Sequence, residues 1–128
     1  VLMAPVIPGL NSNEIPDVFK SAAEAGALNA HILMVRLNGS ISTIFENWLE
    51  QNYPDKKDKV LNQISQIHGG KLSDSRFKTR MKGEGEIAKS LHDLAAIARK
   101  SYFKNVEEIK LNEAEFRKSD HIQIRLPF

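Results

Sequence analysis

Val1-Leu2-Met3-Ala4-Pro5-Val6-Ile7-Pro8-Gly9-Leu10-Asn11 opens the chain, and its reading decides the fold. A continuous apolar run is the pattern of a parallel strand buried on both faces; a half-exposed strand alternates instead. The Pro-Gly turn at its end leads into a helical pattern from Asn13 to Ala25, where Ile15, Val18, Phe19 and Ala22 share one face. Ser12 or Asn13 is available as N-cap, and Gly26 stands just past the end as a C′ residue. A second apolar run, Ala30-His31-Ile32-Leu33-Met34-Val35-Arg36, follows, with Leu37-Asn38-Gly39-Ser40 as its turn into the next helix. Strand, helix and strand at this spacing predict a right-handed parallel crossover. Two parallel strands leave faces and edges uncovered, so the expectation is of a larger α/β domain whose other strands lie outside the chain, or of pairing between copies.

The remainder reads as helical. Ile41, Ile44, Phe45, Trp48 and Leu49 form a stripe at helical spacing that ends before Tyr53-Pro54, and Trp48 is expected in the core. Asp55 offers an N-cap for a helix with Val60, Leu61, Ile64 and Ile67 on its apolar face, ended by Gly69-Gly70. A short surface helix is expected from about Asp74 to Met81, and the longest helix carries Ile87, Leu91, Leu94, Ala95, Ala98 and Tyr102. In the tail, 113–118 could form a helical turn, and Ile122-Gln123-Ile124-Arg125-Leu126 alternates like a half-buried strand. The organisation expected is 1–53 as two βα units and 54–128 as a helical region with an extended tail.

With 128 residues the chain can bury roughly two-thirds of its unfolded surface, enough for one core. The formal charge of +2 is unevenly spread. Residues 1–54 hold two basic and five acidic side chains, a net of −3, and residues 55–128 hold sixteen and eleven, a net of +5. There is no cysteine, which excludes a disulfide framework, a thiolate metal site and a thiol nucleophile within these residues. No apolar run approaches the roughly 18 residues that span a bilayer, and the order of a signal peptide is lacking, so no membrane partner and a cytoplasmic location are expected.

Three places could carry chemistry. Ligands of parallel α/β folds gather at the carboxyl ends of the strands. At the first end, Gly9 permits a close backbone approach and the following helix start offers free N–H groups, although a plain βα turn needs the same residues. At the second end, Arg36 can meet a carboxylate or phosphate ligand, or pair with an acidic neighbour on the rim. The third place is Gly69 to Gly83, with five basic side chains and one acid between Lys71 and Lys82. Clustered Lys and Arg beside a Gly-rich turn can hold a phosphate backbone, and a solvated helix face gives the same charge run. Phe77 is its one aromatic residue, whereas single-strand binding surfaces interleave several. His31, His68, His92 and His121 show no metal-ligand spacing and read as structural or exposed, and no metal site is expected. No acidic pair is marked by its surroundings as general acid and base.

Ala4-Pro5-Val6-Ile7-Pro8-Gly9-Leu10-Asn11, Arg36-Leu37-Asn38-Gly39, Phe45-Glu46-Asn47-Trp48-Leu49 and Gly69-Gly70-Lys71-Leu72-Ser73-Asp74-Ser75-Arg76-Phe77 together resemble the C-terminal part of a radical S-adenosylmethionine family. The group is the one related to spore photoproduct lyase and often labelled DNA repair photolyase. The likeness runs over nearly the whole chain and is strongest in the last motif. It implies an α/β fold made of the last two βα units of a partial (β/α)6 barrel, with Val1 to Val6 as the fifth strand and Ala30 to Arg36 as the sixth, followed by several helices. In that superfamily the fifth strand ends in Gly-x-Ile-x-Gly-x-x-Glu, whose isoleucine packs on the cofactor's adenine. Ile7 and Gly9 match it, while Pro5 and Ser12 replace the first glycine and the glutamate. Leu37 follows the sixth strand, where backbone contacts to adenine are usual.

The resemblance implies S-adenosylmethionine and a four-iron four-sulfur cluster as cofactors of a full-length parent, held partly by a three-cysteine motif that lies N-terminal to this segment. Without cysteine the chain alone is expected to bind neither and to be inactive. Reductive cofactor cleavage and hydrogen abstraction from an unknown substrate would be the parent's reaction. Arg36, Lys71, Arg76 and Arg80 are the expected substrate or phosphate contacts, and nucleic acid is a possible partner. The rival expectation is a non-enzymatic α/β interaction module that pairs through its strand edges, as an edge-paired or domain-swapped homodimer or with another protein.

Overall fold

Leu2 pairs with His31, Met3 with Ile32 and Val6 with Met34 across two parallel strands, β1 (Leu2–Val6) and β2 (His31–Met34). The computed structural model describes residues 1–77, 79–104 and Ala114. Helix α1 (Ile15–Glu24) connects the strands; α2 (Ile41–Asn52), α3 (Lys57–Ile67) and α4 (Gly85–Tyr102) follow. The fold is mixed α/β with a two-stranded parallel sheet, as the two apolar runs require. The expected turn at 113–118, the strand at Ile122 to Leu126, and His121 lie outside the described residues.

The apolar side chains form two clusters, and an irregularity of register between Met3 and Val6 lets both join the first. Met3, Val6, Ile32 and Met34 face α1 and α4 and pack with Ile15, Phe19, Ala88, Ala95 and Ala98. Phe103, one residue past α4, meets Phe19 edge to face at 6.3 Å between ring centroids. It fills the place expected of Tyr102, which is exposed. The second cluster lies past the carboxyl ends of the strands, where Ile7, Leu10, Phe45, Leu61 and Leu72 pack against the buried Val35, Leu37, Leu49, Val60 and Ile64.

Several local expectations are corrected. β1 is not buried on both faces: Leu2 is 56% exposed and Ala4 and Pro5 are also exposed, because no described element covers that face, and β1 has no strand partner beyond β2 either. Neither Ser12 nor Asn13 caps α1; a 3-10 turn, Ser12–Glu14, precedes the helix, and the Ser12 hydroxyl accepts the Gly9 N–H instead. Asp55 likewise sits in a 3-10 turn, Pro54–Lys56, and does not cap α3. Of the α2 stripe only Leu49 is buried, and Trp48 is 40% exposed, not in the core. α2 touches the body along a narrow seam, so Trp48 packs at the surface instead, stacked on Phe45 and meeting the Tyr53 ring at a tilt. The short helix expected from Asp74 to Met81 does not form among the described residues, which follow irregular turns there.

Candidate functional site

The βα turn after β1 is held by its own side chains. Asn11 Oδ1 accepts the Ile7 N–H at 2.7 Å while its Nδ2 donates to the Pro5 carbonyl at 3.1 Å. The Leu10 and Asn11 N–H groups both donate to the Ile7 carbonyl. The amides of Ile7, Gly9, Leu10 and Asn11 are thus satisfied within the turn and are not open to an anion. Gly9 has φ +74°, and a Cβ there would strike Gln63 Oε1, which approaches the turn from α3 without a hydrogen-bond partner. The cavity beside it, bordered by Gly9, Ser12, Gln63 and Ile87, measures about 230 Å³. Ligand pockets span roughly 300 to 1,000 Å³, so the described residues do not enclose a cofactor-sized molecule there. The side chains of Ile7 and Leu37 pack into the second apolar cluster, and the Leu37 N–H donates to the Leu72 carbonyl at 3.1 Å. With no cysteine, the chain does not fit an iron–sulfur cluster either.

The loop that follows α3 is built differently. It crosses the end of β2, where the Met34 N–H donates to the Met81 carbonyl at 3.1 Å. Because Val35 donates towards β1 and successive strand amides alternate in direction, the Met34 bond closes the outer edge of β2 at its carboxyl end. Asp74 organises the loop. It is buried, and its carboxylate accepts the Arg76 backbone N–H at 2.8 Å, Arg76 Nε at 3.0 Å, Arg76 Nη2 at 2.9 Å and the Thr79 hydroxyl at 2.9 Å. Arg76 Nη2 also reaches Glu84 Oε1 at 2.6 Å, just before α4. The Arg76 side chain and backbone, helped by Thr79, hold the Asp74 carboxyl well below the usual carboxylate range against the opposing effect of burial. Asp74 first and Glu84 second raise the Arg76 guanidinium in turn. Gly69, at φ +66°, lets this ion cluster approach: a Cβ there would stand 2.7 Å from Glu84 Oε1.

His68 joins the loop to the strand. It follows α3 directly and is 2% exposed, with Nε2 at 2.7 Å from the Val35 carbonyl oxygen and Nδ1 without a partner. Together with Lys71, Ser73, Ser75, Arg76 and Glu84 it borders a cavity of about 500 Å³, within the ligand range.

Of the expected contact residues, Lys71 and Arg76 therefore share one cavity wall. Arg80 does not border it; its guanidinium lies 6.0 Å from the Phe77 ring centroid. Arg36, half-buried at the end of β2, has neither an ion pair nor a hydrogen bond among the described residues. The sequence reading took His68 as structural or exposed and did not single out Thr79 or Glu84. Only Asp74 two residues before Arg76 carried a local signal, the spacing at which a short acidic side chain bonds its own backbone. Among the described residues no group of three or more His, Asp or Glu side chains is placed to hold a metal ion. No helix among them is long and apolar enough to cross a membrane. Comparison with known protein families, with curated proteins and with solved structures finds no match for the chain.

Proposed function

We propose that this chain is the C-terminal portion of a cytoplasmic radical S-adenosylmethionine enzyme related to spore photoproduct lyase, in which β1 and β2 are the last two strands of a partial (β/α)6 barrel. The asymmetry of the sheet carries the reading. Met81 closes the outer edge of β2 at Met34, whereas the outer edge of β1 is unpaired among the described residues and its Leu2 and Ala4 are exposed. Parallel sheets are normally buried, and the edge of β1, open along its length where that of β2 is closed at its carboxyl end, calls for a preceding strand on that side. Ile7 and Gly9 would then stand at the carboxyl end of a strand flanked on both sides, next to Arg36 and Leu37, where the resemblance puts the cofactor. Cluster and radical chemistry belong to residues outside this chain, and no reaction step is assigned to it.

The upstream reading frame tests the proposal. A Cys-x-x-x-Cys-x-x-Cys motif in frame with Val1 supports it, and a translation start at Met3 removes it. A second reading rests on the same open edge: a non-enzymatic module that pairs through β1 with a copy of itself or another protein. A start at Met3 together with a stable dimer in light scattering favours that reading.

A further inference from the structure

Asn38-Gly39, in the turn between β2 and α2, differs from every other asparagine site among the described residues. Asn38, Gly39 and Ser40 are all exposed. The Asn38 side-chain amide and the Gly39 N–H make no hydrogen bond among the described residues. The turn is held by its carbonyls instead, with Asn38 accepting the Ile41 N–H at 3.2 Å and Gly39 accepting the Ser42 hydroxyl at 2.9 Å. Gly39 has φ +56°, and nothing lies within 4 Å of where a Cβ would stand, so the space beside its backbone is open.

A free asparagine amide next to a free glycine nitrogen is a reactive pair. Once base takes its proton, Gly39 N can attack Asn38 Cγ: the N–Cγ bond forms, the Cγ–Nδ2 bond breaks, and ammonia leaves from a five-membered succinimide. Water then opens either ring carbonyl and leaves an aspartate or a β-linked isoaspartate. A side chain on the following residue crowds that ring, and a hydrogen bond on the amide or on the nitrogen has to break first.

Every other described asparagine is blocked in one of these ways. Asn11 has both ends of its amide bonded, to the Ile7 N–H at 2.7 Å and the Pro5 carbonyl at 3.1 Å. Asn29 Oδ1 accepts the Ala30 N–H at 2.8 Å, and that nitrogen is the one that would have to attack. The nitrogens after Asn13 and Asn52 donate to the Asn11 and Leu49 carbonyls, and those after Asn47 and Asn62 lie within α2 and α3, bonded in the helix ladder.

We propose that Asn38 is a site of spontaneous deamidation, which places a new carboxylate at the carboxyl end of β2 as the protein ages. In sequence it follows closely on Arg36, which has no ion pair among the described residues, and precedes α2, whose first turn holds no acid to meet the positive end of the helix dipole. The reaction needs only water and this chain, so it stands whether or not the chain belongs to a radical enzyme.

The test is incubation of the full chain in mildly alkaline buffer, folded and in guanidinium chloride, followed by mass mapping of tryptic peptides. On folding, Asn38 should lose less than about tenfold in rate, because no bond has to open first, while Asn11, also followed by a small residue, should lose more. A protein isoaspartate methyltransferase should label the tryptic peptide that follows Arg36 in the aged chain. The same peptide should stay unlabelled in Asn38→Gln, whose longer side chain cannot close a five-membered ring and whose fold is kept because Asn38 is exposed and unbonded. Asn38 slowed beyond that bound, Asn11 reacting in the folded chain as fast as Asn38, or a label on that peptide that survives Asn38→Gln would each overturn the proposal.

Discussion

Arg99 donates its Nε–H to the carbonyl oxygen of Ala30 across 2.9 Å, a bond between residues 69 positions apart. It ties the last turn of α4 to the residue before β2, where Ala30 itself is buried. The carbonyl has no water to fall back on if the guanidinium is removed. Arg99→Met should lower the unfolding free energy by about 1.5 to 3 kcal/mol, the worth of a hydrogen bond to a charged group. Urea denaturation of the two proteins checks it, and an unchanged midpoint would show that the bond contributes nothing net.

Asp74 gives the fold an acid limit. Arg76 and Thr79 lower its carboxyl below the ordinary range in the folded state, while the unfolded value is about 3.9. A depressed folded value means that the stabilisation is fully present above about pH 4 and is lost as pH falls from there through the folded value. Thermal unfolding of the wild type should therefore drop more steeply below about pH 4 than that of Asp74→Asn. Parallel curves in that window would contradict it.

The mixed α/β class and the order β1, α1, β2, α2, α3, α4 were legible because each of these elements rests on a long local pattern. The stripes on α3 and α4 report burial, whereas the two apolar runs locate the strands but not how far they are covered, as exposed Leu2 and Ala4 show. The stripe on α2 shows the limit of periodicity. Its spacing is as regular as the others, yet whether the face is covered depends on neighbours that no local pattern contains. Ile44 is 65% exposed and Leu49 fully buried, although both belong to that stripe. Ile44→Glu should consequently change stability by less than about 0.5 kcal/mol, whereas Leu49→Ala should cost about 2 to 5 kcal/mol. The candidate site was half legible for a similar reason. Composition drew attention to Lys71 and Arg76, but His68 and Glu84 reach the cavity from the flanks of the loop through tertiary contacts.

Two glycines with similar backbone angles separate conformational strain from crowding. Gly26 has φ +85° and faces open space, with nothing within 4 Å of where a Cβ would stand. Gly83 has φ +70° and would place that atom 3.2 Å from both the Ile67 carbonyl oxygen and Ala88 Cβ. Gly26→Ala should cost only the left-handed penalty of about 1 to 2 kcal/mol. Gly83→Ala should cost more, since backbone and helix must also give way where α3 meets α4. Equal losses in chemical denaturation would mean that the contact relaxes freely.

The open edge of β1 predicts the solution behaviour of the isolated chain. Leu2 and Ala4 project from a strand whose far side is unpaired among the described residues, and such an edge is a template for another strand. The chain should therefore self-associate in a concentration-dependent way in light scattering. Leu2→Lys puts a charge beside the unpaired backbone, a device that blocks edge pairing, and should shift the population towards monomer with little effect on folding because Leu2 is exposed. If a preceding strand supplied by the parent is the natural partner, adding that segment in cis should abolish self-association as completely as the lysine does. A dimer that survives both changes would place its contact elsewhere, and the exposed face of α2 with Ile41, Ile44 and Trp48 is the next surface to mutate.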